Sequence, residues 1–152
     1  MSELFEKSMR TLELPRVLQM LAEQAVSPEA KAKCAAVRPE NEAEEVLRLQ
    51  DQTEAARNMI GLRGAPSFSG VHPVIESLDR ADRGGSLNTR ELLTIAGLLT
   101  CARRAKEYRD ADAIGVTAID HLFHSIHGNR FLEEKIKKAI QKRAAPRSGS
   151  AA

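Results

Sequence analysis

The chain has 152 residues and a formal net charge of +2, and 42% of its residues are hydrophobic against 29% charged. This is the mixture of a globular domain that can bury a core without metals or disulfides, and so small a charge does not by itself indicate nucleic-acid binding. Aromatic residues make up only 3%, which argues against a β-sandwich or barrel, and no apolar run approaches the roughly 18 residues of a membrane span. Residues 1–10 are charged and contain no apolar stretch, so we expect no signal peptide and a cytoplasmic protein.

Apolar spacing and helix-start signals predict two helices near the beginning. The first runs from Leu14 to Gln24, with Pro15 in the first turn, where its missing N–H costs nothing. Ser27 followed by Pro28 is a typical N-cap and first helical residue, and it predicts a short second helix that ends near Ala36.

The third predicted helix runs to about Ile60, and its start is indicated by Asn41 with Glu44 in a capping-box spacing. One face carries a heptad-like seam of residues three or four apart. The seam consists of Val46, Leu49, Thr53, Ala56 and Ile60. Since it spans only two to three heptads, a packed helix hairpin is favoured over a long coiled coil.

Four more helices are predicted after a Gly- and Pro-rich loop at 61–70. One spans 71–81, and a long one runs from a capping box formed by Asn88 and Glu91 to about Arg109. The last two cover 119–126 and 132–140. Residues 1–140 are thus predicted to form one all-α domain, an irregular bundle of six or seven helices, and 141–152 a disordered tail or a foreign terminus.

Signatures of catalysis are absent from the sequence. There is no Walker A motif, no Gly-x-Gly-x-x-Gly and no Gly-x-Ser-x-Gly, so we expect neither catalytic nor cofactor-binding residues in this chain. Cys34 and Cys101 each fall within a predicted helix, which favours reduced structural thiols over a disulfide.

Three histidines are the one group that resembles a metal site. His121 and His124 can share a helix face, but His127 lies roughly 120° around the helix from His121. Because all three cannot converge on one ion from a single helix, we expect surface histidines rather than a metal centre.

Two basic clusters are the candidates for contact with nucleic acid. Arg103 and Arg104 lie near the end of a predicted helix, where the helix dipole favours cations whether or not a ligand binds. Lys135 and Lys138 belong to the last helix, which could touch phosphates. We found no interleaved aromatic residues, so single-strand recognition by stacking is not expected.

Several short motifs, taken together in chain order, are more informative than any one of them alone. They are 11–18 (TLELPRVL), 21–27 (LAEQAVS), 38–39 with 44–46 and 53–55, 68–71 (FSGV), 84–87 (GGSL) with 91–93, 102–104 (ARR) and 131–136 (FLEEKI). Their order and spacing, over roughly residues 10–136, resemble the N-terminal region of the MutS type II family, the Smr-bearing MutS paralogues.

The resemblance implies a longer parent protein with a helical clamp, a MutS-type ATPase and commonly an Smr nuclease domain. Such a parent would use ATP and Mg²⁺, act as a homodimer on branched or mismatched DNA in recombination control, or act on stalled ribosomes. The present chain would correspond to the helical part that joins clamp to ATPase. No catalytic or nucleotide-binding residue of the family falls within it.

Three functions therefore stay open at the level of sequence. The chain is a mechanical connector in a DNA-processing ATPase, a free-standing helical module that binds a partner through the seam, or a small metal- or nucleic-acid-binding protein. The first rests on the order of motifs, the second on the seam, and the third on the histidines and the basic clusters.

Overall fold

The computed structural model describes residues 3–111 and 115–144, and within them it is all-helical, without a strand, as predicted. The described part contains eight helices, one or two more than the six or seven expected. The helices are α1 (Glu3–Thr11), α2 (Leu14–Glu23), α3 (Pro28–Ala35), α4 (Ala43–Arg63), α5 (Ile75–Asp82), α6 (Thr89–Asp110), α7 (Asp120–His124) and α8 (Arg130–Ala144). None of them is long and apolar enough to cross a membrane.

The additional helix is α1, which the sequence analysis treated only as a charged stretch. Its apolar residues Leu4, Phe5 and Met9 lie at helical spacing, but they cover only about two turns, and Leu4 is 74% exposed. The helix packs against α2. A pattern this short is a weak signal in the sequence, because so short a helix depends on packing for its stability.

The described residues divide into two compact units on either side of the Leu47–Arg48 bond. In the first unit α2 packs against both α1 and α3. The two predicted start signals are confirmed there: Pro15 lies in the first turn of α2, and the Ser27 hydroxyl accepts a hydrogen bond from the Ala30 N–H at 3.1 Å.

The second unit is built around α6, the longest helix, which packs against α7 and α8. Ile95 and Ala96 of α6 form a buried cluster with Ile136 of α8. Five partly buried side chains surround this cluster, namely Val74, Leu87, Leu92, Leu99 and Ile140. The predicted capping box is confirmed at the start of α6, since Asn88 accepts from the Glu91 N–H and the Glu91 carboxylate accepts from the Asn88 N–H.

Residues 64–74, which we name the strap, run along α6 in the opposite direction. Cys101 Sγ lies 3.8 Å from the carbonyl oxygen of Ser67, and Val74 packs on the core cluster. Between these points a Cβ on Gly70 would come within 3.3 Å of the Gly97 carbonyl oxygen. Glycine at 70, which has a φ of 98°, therefore allows the strap backbone to lie directly on the helix.

Helix α4 begins later and ends later than predicted. It starts at Ala43, two residues after Asn41, and the Glu40 carboxylate rather than an Asn41–Glu44 pair accepts the preceding N–H groups. The predicted seam is not a buried packing face, since Leu49 and Ile60 are 42% and 46% exposed. The buried residue of α4 is Met59, which lies outside the seam.

Helix α8 reaches Ala144, so residues 141–144 are helical rather than part of a disordered tail. Gln, Lys, Arg and Ala are good helix formers, and Gln141 and Lys142 are exposed, so their propensity extends the helix. The rest of the predicted tail, 145–152, lies outside the described residues.

Candidate functional site

The most concentrated group of polar side chains in the second unit lies between α6 and α8. Glu133 of α8 is 4% exposed, and its carboxylate is approached by donors from both helices. Lys137 Nζ lies 2.6 Å from it, the Thr100 hydroxyl 2.8 Å and Arg103 Nε 3.2 Å. A buried carboxylate of α8 is thus joined to α6 by directional contacts from Thr100 and Arg103, while Lys137 holds it from within α8.

The donors around Glu133 change its acidity. Hydrogen bonds from Arg103 and then Lys137 lower the pKa of Glu133 from 4.5 to about 2, against an opposing effect of burial. The pKa of Arg103 is raised in turn, first by Glu133 and then by Glu107. The carboxylate therefore stays charged at neutral pH and acts as a fixed structural anion, not as a proton donor.

A second carboxylate fastens the end of α6 to the start of α7. Arg109 Nε and Nη2 each lie 2.6 Å from one oxygen of Asp120, in a two-pronged ion pair. Thr117 donates to the same carboxylate from its hydroxyl at 2.6 Å and its N–H at 3.1 Å. These contacts, led by Arg109, hold the pKa of Asp120 well below its usual range.

The carboxyl end of α6 is also capped from α4. The Arg63 guanidinium donates to the carbonyl oxygens of Tyr108 and Arg109, two groups that have no partner within the helix. The Tyr108 hydroxyl donates back to the Gly64 carbonyl at 2.8 Å. In each of these contacts the two residues are far apart in sequence. The carboxyl end of α6 is therefore held in place by tertiary structure.

The four predicted phosphate contacts are not equivalent in the structure. Arg103 is held by Glu133 and Glu107, whereas Arg104, on the same helix, is exposed. Lys135 and Lys138 both lie on the exposed side of α8, with Lys138 4.0 Å from Glu134. Arg103 is thus engaged inside the protein, and the structure does not bring all four side chains to one surface.

The histidines and the cysteines are the remaining candidate groups from the sequence. His121, His124 and His127 are exposed, and in the described part of the chain no group of three or more potential ligands is arranged to hold a metal ion. Cys101 is buried beside the strap, and burial raises the pKa of its thiol. Cys34 is partly buried in the first unit.

Sequence reasoning missed Glu133 and Asp120, the two buried carboxylates. The signal for Glu133 was present, since it stands three residues before Ile136 and therefore on the apolar face of α8. Asp120 offered a weaker signal, a carboxylate three residues after Thr117 in a spacing typical of a helix start. Neither pattern identifies the arginine partner, which comes from another helix.

Comparison with known proteins gives a consistent set of relatives. No model of a known protein family matches the chain. It is 37% identical over 137 residues to endonuclease MutS2 of Agathobacter rectalis and 30% identical over 138 residues to that of Acetivibrio thermocellus, in each case over 89% of this chain and 17% of the relative. It is 35% identical over 103 residues, 68% of this chain, to endonuclease MutS2 of Lachnoclostridium phytofermentans.

The chain spans about 17% of the length of the first two of these relatives. The similarity extends across both compact units, since it covers 89% of the residues. The chain therefore belongs to the endonuclease MutS2 family, to whose N-terminal region it corresponds.

Proposed function

We propose that this chain serves as a rigid, non-catalytic connector within a MutS2-type DNA-processing ATPase, between the ATPase and the part that grips DNA or the ribosome. The observation that carries the proposal is the Glu133 network, in which Thr100 and Arg103 of α6 both donate to one buried carboxylate of α8. A connector must move as a body, and directional bonds between helices resist sliding better than apolar contacts alone.

The second contact supports the same role. Arg109 and Asp120 fasten α7 to the carboxyl end of α6, beyond Thr100 and Arg103, so the second half of α6 is held at two places. A shift imposed on one of these helices would be passed to the others as a rigid-body displacement. ATP and Mg²⁺ would bind in the remainder of such a protein, and a homodimer would be formed by it.

The test places this chain in a full-length relative. In a chimera, the matching residues of Agathobacter rectalis MutS2 are replaced by this chain, and ATP hydrolysis is measured with and without DNA. Glu133→Gln is expected to reduce the stimulation by DNA about threefold or more while basal hydrolysis is unchanged, because the substitution removes the charge and keeps the shape. Glu134→Gln is the matched control, since Glu134 is the neighbouring residue with 48% of its side chain exposed.

The alternative is a free-standing helical module that binds a partner helix. The exposed seam favours it, since Leu49 and Ile60 face solvent at a spacing that suits helix pairing. The same chimera separates the two functions. An active chimera in which Glu133→Gln and Glu134→Gln give equal stimulation by DNA would contradict the connector and leave the module as the better account.

A further inference from the structure

Helix α8 has two faces with different composition. Glu133, Ile136 and Lys137 are directed towards α6. On the opposite side, residues four, three and four positions apart form a single stripe. This stripe, which we name the outer face of α8, consists of Phe131, Lys135, Lys138 and Lys142.

The outer face is open to solvent along its length. Phe131 is 76% exposed, and the side chain of Lys138 is 78% exposed. Lys135 Nζ lies 5.7 Å from the centre of the Phe131 ring. In the sequence Phe131 precedes the lysines and is not interleaved with them, but the helix brings it onto the same stripe as the three lysines.

Few acidic groups oppose these lysines. In the described part of the chain Lys138 has one carboxylate at 4.0 Å, that of Glu134, which also pairs with Arg130 at 2.9 Å. By sequence, 130–144 contains six basic and two acidic residues, a net charge of +4, while the whole chain carries only +2. Positive charge is thus concentrated on α8 in a chain that is otherwise slightly acidic.

We propose that the outer face of α8 is a docking surface for the sugar-phosphate backbone of a nucleic acid. Lys135, Lys138 and Lys142 span roughly 10 Å along the helix, a length that can follow about three successive phosphates of one strand. Phe131, at one end of the stripe, lies against a sugar or an unstacked base. The proposal deepens the proposed function and rests on it, because the DNA-processing role is what singles out a nucleic acid among polyanions.

The geometry favours a nucleic acid over a membrane surface. A helix that binds a lipid interface buries a broad apolar face in it. Here α6 already occupies the apolar face, and the outer face offers one exposed ring among three lysines. Arg103 is not part of this surface because its guanidinium is held by Glu133 and Glu107.

Binding of the 152-residue chain to a fluorescein-labelled DNA duplex, followed by anisotropy between about 50 and 200 mM salt, tests this surface. Three phosphate contacts predict a slope of log K against log salt concentration near −3. The variant with Lys135→Gln, Lys138→Gln and Lys142→Gln is expected to bind at least about tenfold more weakly at the lowest salt concentration and to lose most of that slope. Phe131→Ala is expected to weaken binding about threefold with the slope unchanged.

The control removes the same charge elsewhere, with Lys7→Gln, Lys31→Gln and Lys33→Gln, three exposed lysines of the first unit. It is expected to retain the slope of the unmodified chain. Equal losses in both triple variants, no salt-dependent binding by the unmodified chain, or tighter binding to vesicles of anionic phospholipid than to DNA would each overturn the proposal. These outcomes leave the stimulation measured in the chimera untouched, so failure of the surface and failure of the connector are distinguishable.

Discussion

The two compact units of the chain are stabilised by different kinds of interaction. Among the described residues of the first unit, Leu18 is the one buried apolar side chain, and the buried polar residue Ser27 serves as a helix cap. The second unit combines an apolar cluster with arginine–carboxylate pairs. Three of the paired carboxylates are buried or partly buried: Glu91 with Arg80, Asp120 with Arg109, and Glu133 with Arg103.

This difference indicates that the positions of the helices are specified more tightly in the second unit than in the first. Apolar contacts tolerate small shifts, whereas an arginine–carboxylate pair requires both groups at a set distance and direction. The second unit is therefore the better candidate for a rigid connector, and the first for a part whose short helices are stabilised mainly by local caps and pairwise packing.

Acid is expected to have the largest effect on the stability of the second unit, because it protonates all three of the paired carboxylates just named, Glu91, Asp120 and Glu133. The folded-state pKa of Glu133, about 2, lies below the ordinary value of 4.5. Its contribution to stability is therefore complete above about pH 4.5 and lost as the pH falls towards 2. Asp120 and Glu91 are shifted in the same direction, Glu91 mainly by Arg80, and so contribute with the same sign.

This loss of stability is measured by urea unfolding at a series of pH values. Fluorescence from the single tyrosine, Tyr108, reports on the second unit. The chain contains no tryptophan to obscure it. Glu133→Gln is expected to flatten the pH profile, since the variant has one proton fewer to take up. An unfolding free energy that stays constant from pH 5 to pH 2 would contradict the structural role of these carboxylates.

Glu133→Ala is expected to destabilise the second unit by about 2–3 kcal/mol, at or below the lower end of the loss typical of breaking a buried ion pair. The expected loss is small for a buried pair because Arg103 and Lys137, with side chains 34% and 43% exposed, can turn to water. Glu134→Ala, by contrast, should change stability by less than about 0.5 kcal/mol. Similar losses from the two substitutions would mean that burial of the carboxylate is unimportant.

Leu18→Ala is expected to have the smallest effect, about 2 kcal/mol, and to confine it to the first unit. The substitution removes the one buried apolar side chain among that unit's described residues. Far-ultraviolet circular dichroism should lose helical signal at lower urea concentration, while the Tyr108 transition keeps its midpoint. A shift of the Tyr108 midpoint by the same amount would show that the two units unfold together.

Much of the fold could be predicted because its signals are local. Ser27 and the Asn88–Glu91 capping box each specify a helix start within four residues, and both are confirmed. The start of α4 was placed too early because Glu40, rather than Asn41, supplies the acceptor. Helix α1 was missed because its apolar pattern covers only about two turns, and the packing against α2 that stabilises it is not visible in the sequence.

The polar network was less predictable for a related reason. Glu133 accepts from Thr100 and Arg103, residues thirty or more positions away, and only the packing of α6 on α8 makes them neighbours. The same packing explains why Arg103 and Arg104, adjacent in sequence, have different environments. Sequence identifies a basic cluster, but which members stay available to a ligand depends on the carboxylates that face them.

The strap has a consequence for the order in which the chain assembles. Its contacts with α6 join residues at increasing separation, from Gly70 with Gly97, through Ser67 with Cys101, to Gly64 with Tyr108. Once the Gly70–Gly97 contact has formed, only a few further residues have to be ordered for each of the other two contacts, so most of the entropic cost of loop closure is met by the first. A side chain at Gly70 would strain a backbone with a φ of 98° and push the strap away from Gly97, and this effect would extend along the strap to Gly64.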